Sequence, residues 1–351
     1  MKLHPSLRAL LWPFSFLFEG IVRLRALAYR NRIFRQRRLK GIVISVGNLT
    51  VGGTGKTPMV AWIAQRLIDS GRAVGILSRG YRGSARINSI PSANISNPPQ
   101  SRLSDEVWLL GQRLGPKALI GVGSDRFAHG TALERQGIER FVLDDGFQHL
   151  QLARDVDIVL IDATAPFDGG RLLPTGRLRE PVSALARADV VLITRSERAP
   201  AVEAVVRRHS AAPIFYAQTQ LDDVRVAENT AQPGAPAEWL GRKVFAFCAI
   251  GNPAAFFDDV RHWGMELVGQ REFPDHHRYS RAEAEELENE ASAAGAEALI
   301  CTQKDIYNLG EVRFQKLPLY SCLISMRVSE PEEFWDTILA IVSRKRGENR
   351  Q

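Results

Sequence analysis

The sequence predicts an α/β protein with a mostly parallel sheet, a second, smaller α/β domain and an N-terminal amphipathic helix. Three observations lead to this fold class. Apolar segments alternate with helix-like ones over residues 41–194, a loop of small residues follows the first apolar segment, and basic residues concentrate in the first forty positions. The 351 residues, 45% hydrophobic and 24% charged, suffice for two globular domains and are too ordinary for a disordered chain.

Residues 1–40 are predicted to form a helix that lies on a membrane surface. They hold ten Lys and Arg against one acid, Glu19, in a chain whose formal net charge is +7. The 14 residues between Arg8 and Arg23 make about 21 Å of helix, less than the roughly 30 Å of bilayer hydrocarbon. On a helical projection an apolar face (Leu7, Leu10, Leu11, Phe14, Leu17, Phe18, Ile21, Leu24) lies opposite a stripe of Arg8, Ser15, Glu19, Arg23 and Arg30. This pattern favours an interfacial helix; a core-packed helix and a true span or signal are the alternatives, and no nucleic-acid-binding motif follows.

Six apolar runs predict the strands of the first domain, assigned to residues 41–222. They are GIVISV, AVGILS, KALIGV, RFVLDD, DIVLID and DVVLIT. Segments of crossover length separate them, which predicts parallel pairing. The stretch Asn88 to Ser104 is rich in Pro, Ser and Asn and is expected to be a surface loop near the site. A second break precedes a new strand and helix series, assigned to residues 240–351 and ending in a helix near Glu332 to Ser343.

The segment TVGGTGKTP, residues 50–58, predicts a phosphate-binding loop before a helix at about Lys56 to Ser70. Small residues let backbone N–H groups surround phosphate oxygens, a lysine carries charge to the outer phosphates, and a hydroxyl binds Mg²⁺. The nucleotide-binding candidates are Thr50, Val51, Gly52, Gly53, Thr54, Gly55, Lys56 and Thr57. Thr50 stands where the common pattern has Gly, and a Gly-rich turn before an ordinary helix is the alternative.

Two adjacent carboxylates, Asp144 and Asp145, end the apolar segment RFVLDD and precede GFQH. A carboxylate at a strand end beside a phosphate loop is the usual second contact of Mg²⁺. Adjacent side chains point differently, so one carboxylate can hold the metal while the other serves the nucleophile. An ordinary surface turn is the alternative.

A second polar segment, PDHHRY, contains Asp275, His276 and His277. Histidine suits proton transfer near neutral pH, particularly beside a carboxylate. A catalytic or substrate contact is favoured over a helix-capping turn. A transition-metal site is disfavoured because no further ligand follows at a suitable spacing, and the three cysteines form no C-x-x-C pair.

These motifs resemble the tetraacyldisaccharide 4'-kinases of lipid A biosynthesis. The matching segments, in order, are VGNLTVGGTGKTP, LSRGY, SDE, DDGFQH, LLPTGRLREP, CAIGNP, FPDHHRY and TQKD. The resemblance covers about residues 40–310, and its family pattern includes Thr50. The family commonly has Gly in place of Ser104 and more glycine before LLPTGRLREP, which affects the substrate loop.

The resemblance implies ATP- and Mg²⁺-dependent phosphorylation of the 4'-hydroxyl of a lipid A disaccharide 1-phosphate at the cytoplasmic face of the bacterial inner membrane, without nucleic acid or a required protein partner. Asp145, paired with His276, would accept or relay the hydroxyl proton, with Asp105 and Lys56 also catalytic. Thr57, Asp144 and Glu106 would serve the metal. The substrate-binding candidates are Arg79, Tyr81, Arg126, Gln148, His149 and Arg179. A membrane-associated nucleotide-hydrolysing switch or motor is the alternative function.

Overall fold

A computed structural model describes residues 5–80, 87–91, 104–227 and 236–348. Its helices are α1 (Pro5–Arg30), α2 (Lys56–Asp69), α3 (Asp105–Leu114), α4 (Arg126–Glu134), α5 (Pro200–His209), α6 (Pro253–His262), α7 (Arg281–Ala293), α8 (Gln303–Leu309) and α9 (Pro331–Glu348). Its strands are β1 (Ile42–Asn48), β2 (Val74–Ser78), β3 (Ile87–Pro91), β4 (Ala118–Val122), β5 (Arg140–Asp144), β6 (Val156–Asp162), β7 (Val190–Thr194), β8 (Ile214–Val226), β9 (Lys243–Cys248), β10 (Glu266–Glu272), β11 (Ala298–Thr302) and β12 (Leu319–Val328).

The described strands form one mostly parallel sheet, which confirms the predicted α/β class. Its order is β10-β9-β11-β12-β8-β7-β6-β1-β5-β2-β4-β3, with the β12–β8 and β3–β4 pairs antiparallel. The six apolar runs of the first half became β1, β2, β4, β5, β6 and β7. These strands are almost entirely buried, as expected where helices cover both faces of a parallel sheet.

Strands β8 and β12 connect two lobes. We call β1–β7 with α2–α5 the first lobe, and β9–β11, the start of β12 and α6–α8 the second lobe. The beginning of β8 pairs with β7, at Ala217 and Thr194, and its end pairs with the beginning of β12, at Val226 and Tyr320. Because β12 runs antiparallel to β8 and parallel to β11, the carboxyl ends of the strands of both lobes face each other across a cleft. Ligands commonly bind beyond the carboxyl ends of parallel strands.

The end of the chain returns to the first lobe. Phe334 and Ile338 of α9 are buried in the same core cluster as Met59 and Ile63 of α2. Met326, near the end of β12, also belongs to that cluster. The sequence assigned this helix to residues 240–351, whereas its packing places it on the first lobe.

Helix α1 lies where an N-terminal helix was predicted, but its docked side differs from the expected one. Ser15, from the predicted polar stripe, is buried; its hydroxyl donates to Leu172 O at 3.2 Å and lies 2.7 Å from Thr175 Oγ1. Phe18 packs against the neighbouring core cluster. Eight large apolar side chains of the helix are exposed: Leu10, Trp12, Phe14, Phe16, Leu17, Ile21, Leu24 and Leu27. No helix among the described residues has the length and apolar character that a membrane crossing requires.

The expected loop from Asn88 to Ser104 was wrong over its first residues. Residues 87–91 form β3, which pairs antiparallel with β4 at the edge of the sheet. Edge strands tolerate proline, so Pro91 does not prevent this pairing. Residues 92–103 lie outside the described part of the chain.

Candidate active site

The predicted phosphate loop joins β1 to α2 at the floor of the cleft. Gly52 and Gly55 have φ angles of 115° and 86°, which glycine adopts without the steric cost that a Cβ would bring. Helix α2 then begins at Lys56, so the positive end of its dipole faces the loop. Lys56 Nζ donates to Asn48 Oδ1 at 3.1 Å and lies 3.5 Å from Asp145 Oδ1. The loop therefore has the local structure of an anion site.

A cavity of about 1080 Å³ occupies the cleft above this loop. Its lining contains residues 51–57 from the loop and, from the other predicted positions, Arg79, Glu106, Arg126, Asp144, Asp145, Gln148, His149, Arg179 and His276. Thr50 lies behind the loop, where it is buried and its backbone pairs with Leu178. Tyr81 is outside the described residues. The fold therefore collects nearly all the predicted side chains from both lobes around one space.

The two carboxylates after β5 have different environments. Asp144 is buried and accepts a hydrogen bond from Ser78 Oγ at 3.0 Å. Burial, Glu106 and Asp145 raise the pKa of Asp144 to about 6. Asp145 lies 2.6 Å from Arg179 Nη1; although burial acts to raise its pKa, Lys56 and Arg179 hold it well below its usual value. Asp145 is therefore ionised, whereas Asp144 sits where negative charge is poorly compensated.

His276 pairs with a different carboxylate from the expected one. Its Nδ1 lies 2.9 Å from Asp105 Oδ2, and its Nε2 lies 3.8 Å from Asp275 Oδ2. Asp145 contacts Arg179 and Lys56, so the structure pairs His276 with Asp105, and a joint catalytic role of Asp145 and His276 stays a prediction. The hydrogen bond to Asp105 raises the pKa of His276 against the effect of burial. The pKa of Asp105 is lowered, since His276 and Lys304 outweigh its burial.

The second lobe holds His276 in a defined position. Its backbone N–H donates to Ala249 O at 3.2 Å, and the N–H of Ala249 donates to Asp305 Oδ1 at 2.8 Å. Asp305 is fully buried and also accepts from Tyr279 Oη at 2.7 Å. His276 has a φ of 62° and Asp145 one of 48°. Such strained backbone in non-glycine residues concentrates at functional sites.

The neighbouring histidine has a structural environment. His277 stacks on Phe273 with ring centroids 5.0 Å apart, and its Nε2 lies 3.0 Å from Glu283 Oε1. Glu283 also caps α7 together with Ser280. His277 is not part of the cavity lining, so the structure favours His276 of the two.

The substrate candidates form an electropositive wall beside α1. Arg126 is buried, donates to Asp145 O at 3.2 Å, and has no hydrogen-bond partner for Nε among the described residues. Gln148 Nε2 donates to Asn48 O at 2.9 Å. Burial, Arg126, Arg154 and Arg25 lower the pKa of His149 to about 4, so this imidazole is neutral at pH 7. The wall is suited to an anionic ligand.

Two residues of the quoted motifs have contacts that the sequence did not predict. Arg177, in the LLPTGRLREP motif, donates through Nη2 to Val51 O at 2.7 Å and to Gly251 O at 2.9 Å, which ties the phosphate loop to the second lobe. Lys304, in the TQKD motif, lines the cavity and lies 3.2 Å from Glu106 Oε1. The motifs LLPTGRLREP and TQKD indicated that Arg177 and Lys304 belong to functional segments. Their contacts could not be predicted, because a sequence does not show which residues meet between lobes.

Three polar residues of the cavity could bind a metal ion that is held mainly by phosphate oxygens. Thr57, Asp144 and Glu106 line the same cavity. Among the described residues no group of three or more His, Cys, Asp or Glu could hold a metal unaided. Mg²⁺ in phosphoryl-transfer sites is bound by one or two carboxylates, substrate phosphates and water, so this donor set fits it.

Comparison with known proteins identifies the family. The sequence profile of the tetraacyldisaccharide-1-P 4'-kinase family matches residues 7–343. The chain belongs to this family. A tetraacyldisaccharide 4'-kinase of Pelobacter propionicus is 38% identical, with 97% of this chain and 94% of that protein aligned. One of Geobacter metallireducens is 40% identical over 92% of this chain and 95% of its own length.

A solved structure supports the same assignment. The crystal structure of LpxK from Aquifex aeolicus in complex with ATP aligns with a TM-score of 0.72 and 29% identity. The alignment covers 96% of this chain and 99% of that one. Membership of the tetraacyldisaccharide-1-P 4'-kinase family makes the chain a phosphotransferase with a P-loop fold.

Proposed function

We propose that the protein transfers the γ-phosphoryl group of ATP to the 4'-hydroxyl of tetraacyldisaccharide 1-phosphate, giving the 1,4'-bisphosphate of lipid A biosynthesis. The observation that carries this proposal is the cavity in which a phosphate loop, two carboxylates after β5 and the Asp105–His276 pair meet. Family membership names the acceptor, and the ATP-bound relative supports the donor.

Both lobes contribute residues to the reaction. Backbone N–H groups of residues 51–57 and Lys56 hold the triphosphate. Thr57, Asp144 and Glu106 would hold Mg²⁺, which would neutralise negative charge on the phosphates. The Asp105–His276 pair accepts the proton of the attacking hydroxyl. Arg179, fixed by Asp145, and Arg126 contact the anionic disaccharide, with Arg79, Tyr81, Gln148 and His149 as further substrate candidates.

The proton acceptor is reached through His276. Asp105 is buried and its Oδ2 faces His276 Nδ1, whereas His276 lines the cavity. A carboxylate at Nδ1 orients the ring, leaves Nε2 to accept a proton and stabilises the imidazolium that results. Catalysis through this pair requires the two lobes to close on the acceptor.

Helix α1 is proposed to bind the protein to the cytoplasmic surface of the inner membrane, where the glycolipid acceptor resides. Its outer side exposes apolar and aromatic side chains, and basic residues follow it from Arg32 to Lys40. Its inner side contributes Phe18, Ile21, Val22 and Arg25 to the cavity lining. Binding of α1 to the membrane therefore places the opening of the cavity next to the acyl chains of the bilayer.

The direct test is a transfer assay. The purified full-length protein is incubated with γ-labelled ATP, Mg²⁺ and tetraacyldisaccharide 1-phosphate in mixed micelles, and the product is analysed for label at the 4' position. Transfer to the 4'-hydroxyl supports the proposal. ATP hydrolysis without transfer, stimulated by a protein partner, would support the nucleotide-driven switch instead.

We expect kcat/KM to fall as the pH is lowered through the raised pKa of His276. The pair accepts a proton only when it is unprotonated, so activity rises with pH and levels off above that pKa, which lies above about 6.5. Asp105→Asn removes the carboxylate charge that raises the pKa, so the midpoint of the remaining activity should move to lower pH. A pH profile of kcat/KM for both proteins measures this, and a midpoint unchanged in Asp105→Asn would contradict it.

We expect Phe14→Asp combined with Leu17→Asp to weaken vesicle binding about tenfold or more, because two exposed apolar side chains leave the acyl boundary and negative charge is added. Both residues are exposed and lie outside the cavity lining, so ATP affinity should not change. Co-sedimentation with vesicles of phosphatidylethanolamine and phosphatidylglycerol measures the effect. Leu240→Asp, at an exposed leucine of the second lobe, is the control. Equal binding by all three proteins would place the membrane contact elsewhere.

A further inference from the structure

Lys304 is a charged group of the cavity to which the proposed reaction assigns no role. It follows β11 at the start of α8, lines the cavity, and has 22% of its side chain exposed. Its Nζ lies 3.2 Å from Glu106 Oε1. Burial acts to lower the pKa of Lys304, but Glu106, Asp105 and Asp275 raise it above its usual value. Lys304 is therefore a permanent cation inside the cleft.

The cations of the cavity are distributed unequally between its two walls. The first lobe contributes Lys56, Arg79, Arg113, Arg126, Arg179 and Arg195. Among the described residues from 240 onward, Lys304 is the single Lys or Arg in the cavity lining. Arg195 of the first lobe reaches α6 but is engaged by Asp259 at 2.7 Å. Among the described residues, Lys304 is therefore the one lysine or arginine of the second lobe that could contact a triphosphate held by the loop.

This position matches a requirement of phosphoryl transfer. The transferring group carries negative charge on its equatorial oxygens, and cations that reach it from the side opposite the phosphate loop stabilise that charge. His276, which faces the same cavity from the same lobe, belongs to the proton acceptor. The acceptor hydroxyl must therefore lie between the loop and the wall that carries both Lys304 and His276.

We propose that Lys304 is a further catalytic residue, which leaves Glu106 and contacts the transferring phosphoryl group when the lobes approach. The exchange needs no proton or electron transfer, since Lys304 remains an ammonium group and replaces one anionic partner by another. It also frees Glu106 from its ion pair, in agreement with its proposed metal contact. The inference rests on the proposed kinase function.

The alternative is that Lys304 only compensates the charges of Asp105 and Glu106. Lys304→Met removes the charge and keeps much of the side-chain volume. If Lys304 contacts the transferring group, kcat should fall about 10²-fold, while KM for ATP changes less than about threefold, since ground-state binding is unaffected. The affinity for ADP with aluminium fluoride, which imitates the transferring group, should fall about tenfold or more, and the affinity for ADP alone should not change.

The matched control is Lys316→Met, which removes an exposed lysine of the second lobe, outside the cavity lining. Lys304→Arg keeps the charge and should recover part of kcat. Lys304→Gln is a second neutral variant should the methionine variant unfold, as judged from thermal unfolding. A kcat within about threefold of wild type, or equal losses of affinity for ADP with and without aluminium fluoride, would overturn the proposal. The fluoride measurement needs no glycolipid, so failure of the wild-type protein to phosphorylate the lipid would count against the proposed function and not against Lys304.

Discussion

Lys56→Ala should lower phosphoryl transfer about 10³-fold, near the upper end of the effect of removing one group that stabilises charge in a transition state. The lysine is the cation of the phosphate loop, and its Nζ is held toward the cavity by Asn48 and Asp145. Charge between the β- and γ-phosphates increases during transfer, so its loss should affect kcat as well as nucleotide affinity. Transfer of label from γ-labelled ATP to the disaccharide lipid measures the effect.

A control separates chemistry from folding in this experiment. Lys117→Ala removes an exposed lysine beside β4, outside the cavity, and should retain wild-type transfer. Lys56→Ala should unfold at nearly the wild-type temperature, because Arg179 still pairs with Asp145. Turnover within tenfold of wild type in Lys56→Ala would remove the loop from the active site.

The strands of the first lobe were predictable because their signal is local. Runs such as GIVISV and DVVLIT are short, apolar and rich in β-branched residues, and each became a buried strand. The phosphate loop was predictable for a similar reason, since its glycines and Lys56 are adjacent in sequence. Edge strand β3 was missed because an edge position tolerates Pro and Asn that a central strand excludes.

The pairing across the cleft was not predictable from local signals. Asp105 and His276 are 171 positions apart, and they meet only because β12 runs antiparallel to β8 and turns the second lobe toward the first. The sequence predicted that a carboxylate pairs with His276, but it favoured Asp145 over Asp105. That carboxylate is occupied by Arg179 at 2.6 Å, an arginine that the motif LLPTGRLREP contains without indicating its partner.

Ser15 shows the same limit for the N-terminal helix. A helical projection sorts residues by polarity and assigned Ser15 to the polar stripe. The hydroxyl is instead satisfied by Leu172 O and Thr175, so the helix docks through a side that contains a polar residue. A buried hydroxyl with hydrogen-bond partners costs little, and the exposed sector of the helix is consequently more apolar than the projection indicated.

The structure predicts that substitutions of Asp105 and His276 have non-additive effects on kcat. Asp105→Ala and His276→Ala should each lower kcat about 10²- to 10⁴-fold, the range of a positioned acid or base. Their double variant should be scarcely worse than the poorer single variant, because removing either member disables the same proton acceptor. ATP affinity should change little in all three proteins, since neither residue belongs to the phosphate loop.

Asp145→Ala should also lower kcat, but through a different group, because Asp145 contacts Lys56 and Arg179. Combined with His276→Ala, its effect should therefore approach the product of the two single losses, because Asp145 acts through Lys56 and Arg179 whereas His276 acts with Asp105. His277→Ala is the control: it should lower the unfolding temperature, since the ring stacks on Phe273 and contacts Glu283, with kcat within about threefold of wild type. Multiplicative losses for Asp105 and His276, with non-additive losses for Asp145 and His276, would restore the pairing that the sequence favoured. A larger loss of kcat in His277→Ala than in His276→Ala would mean that the other histidine faces the acceptor during the reaction.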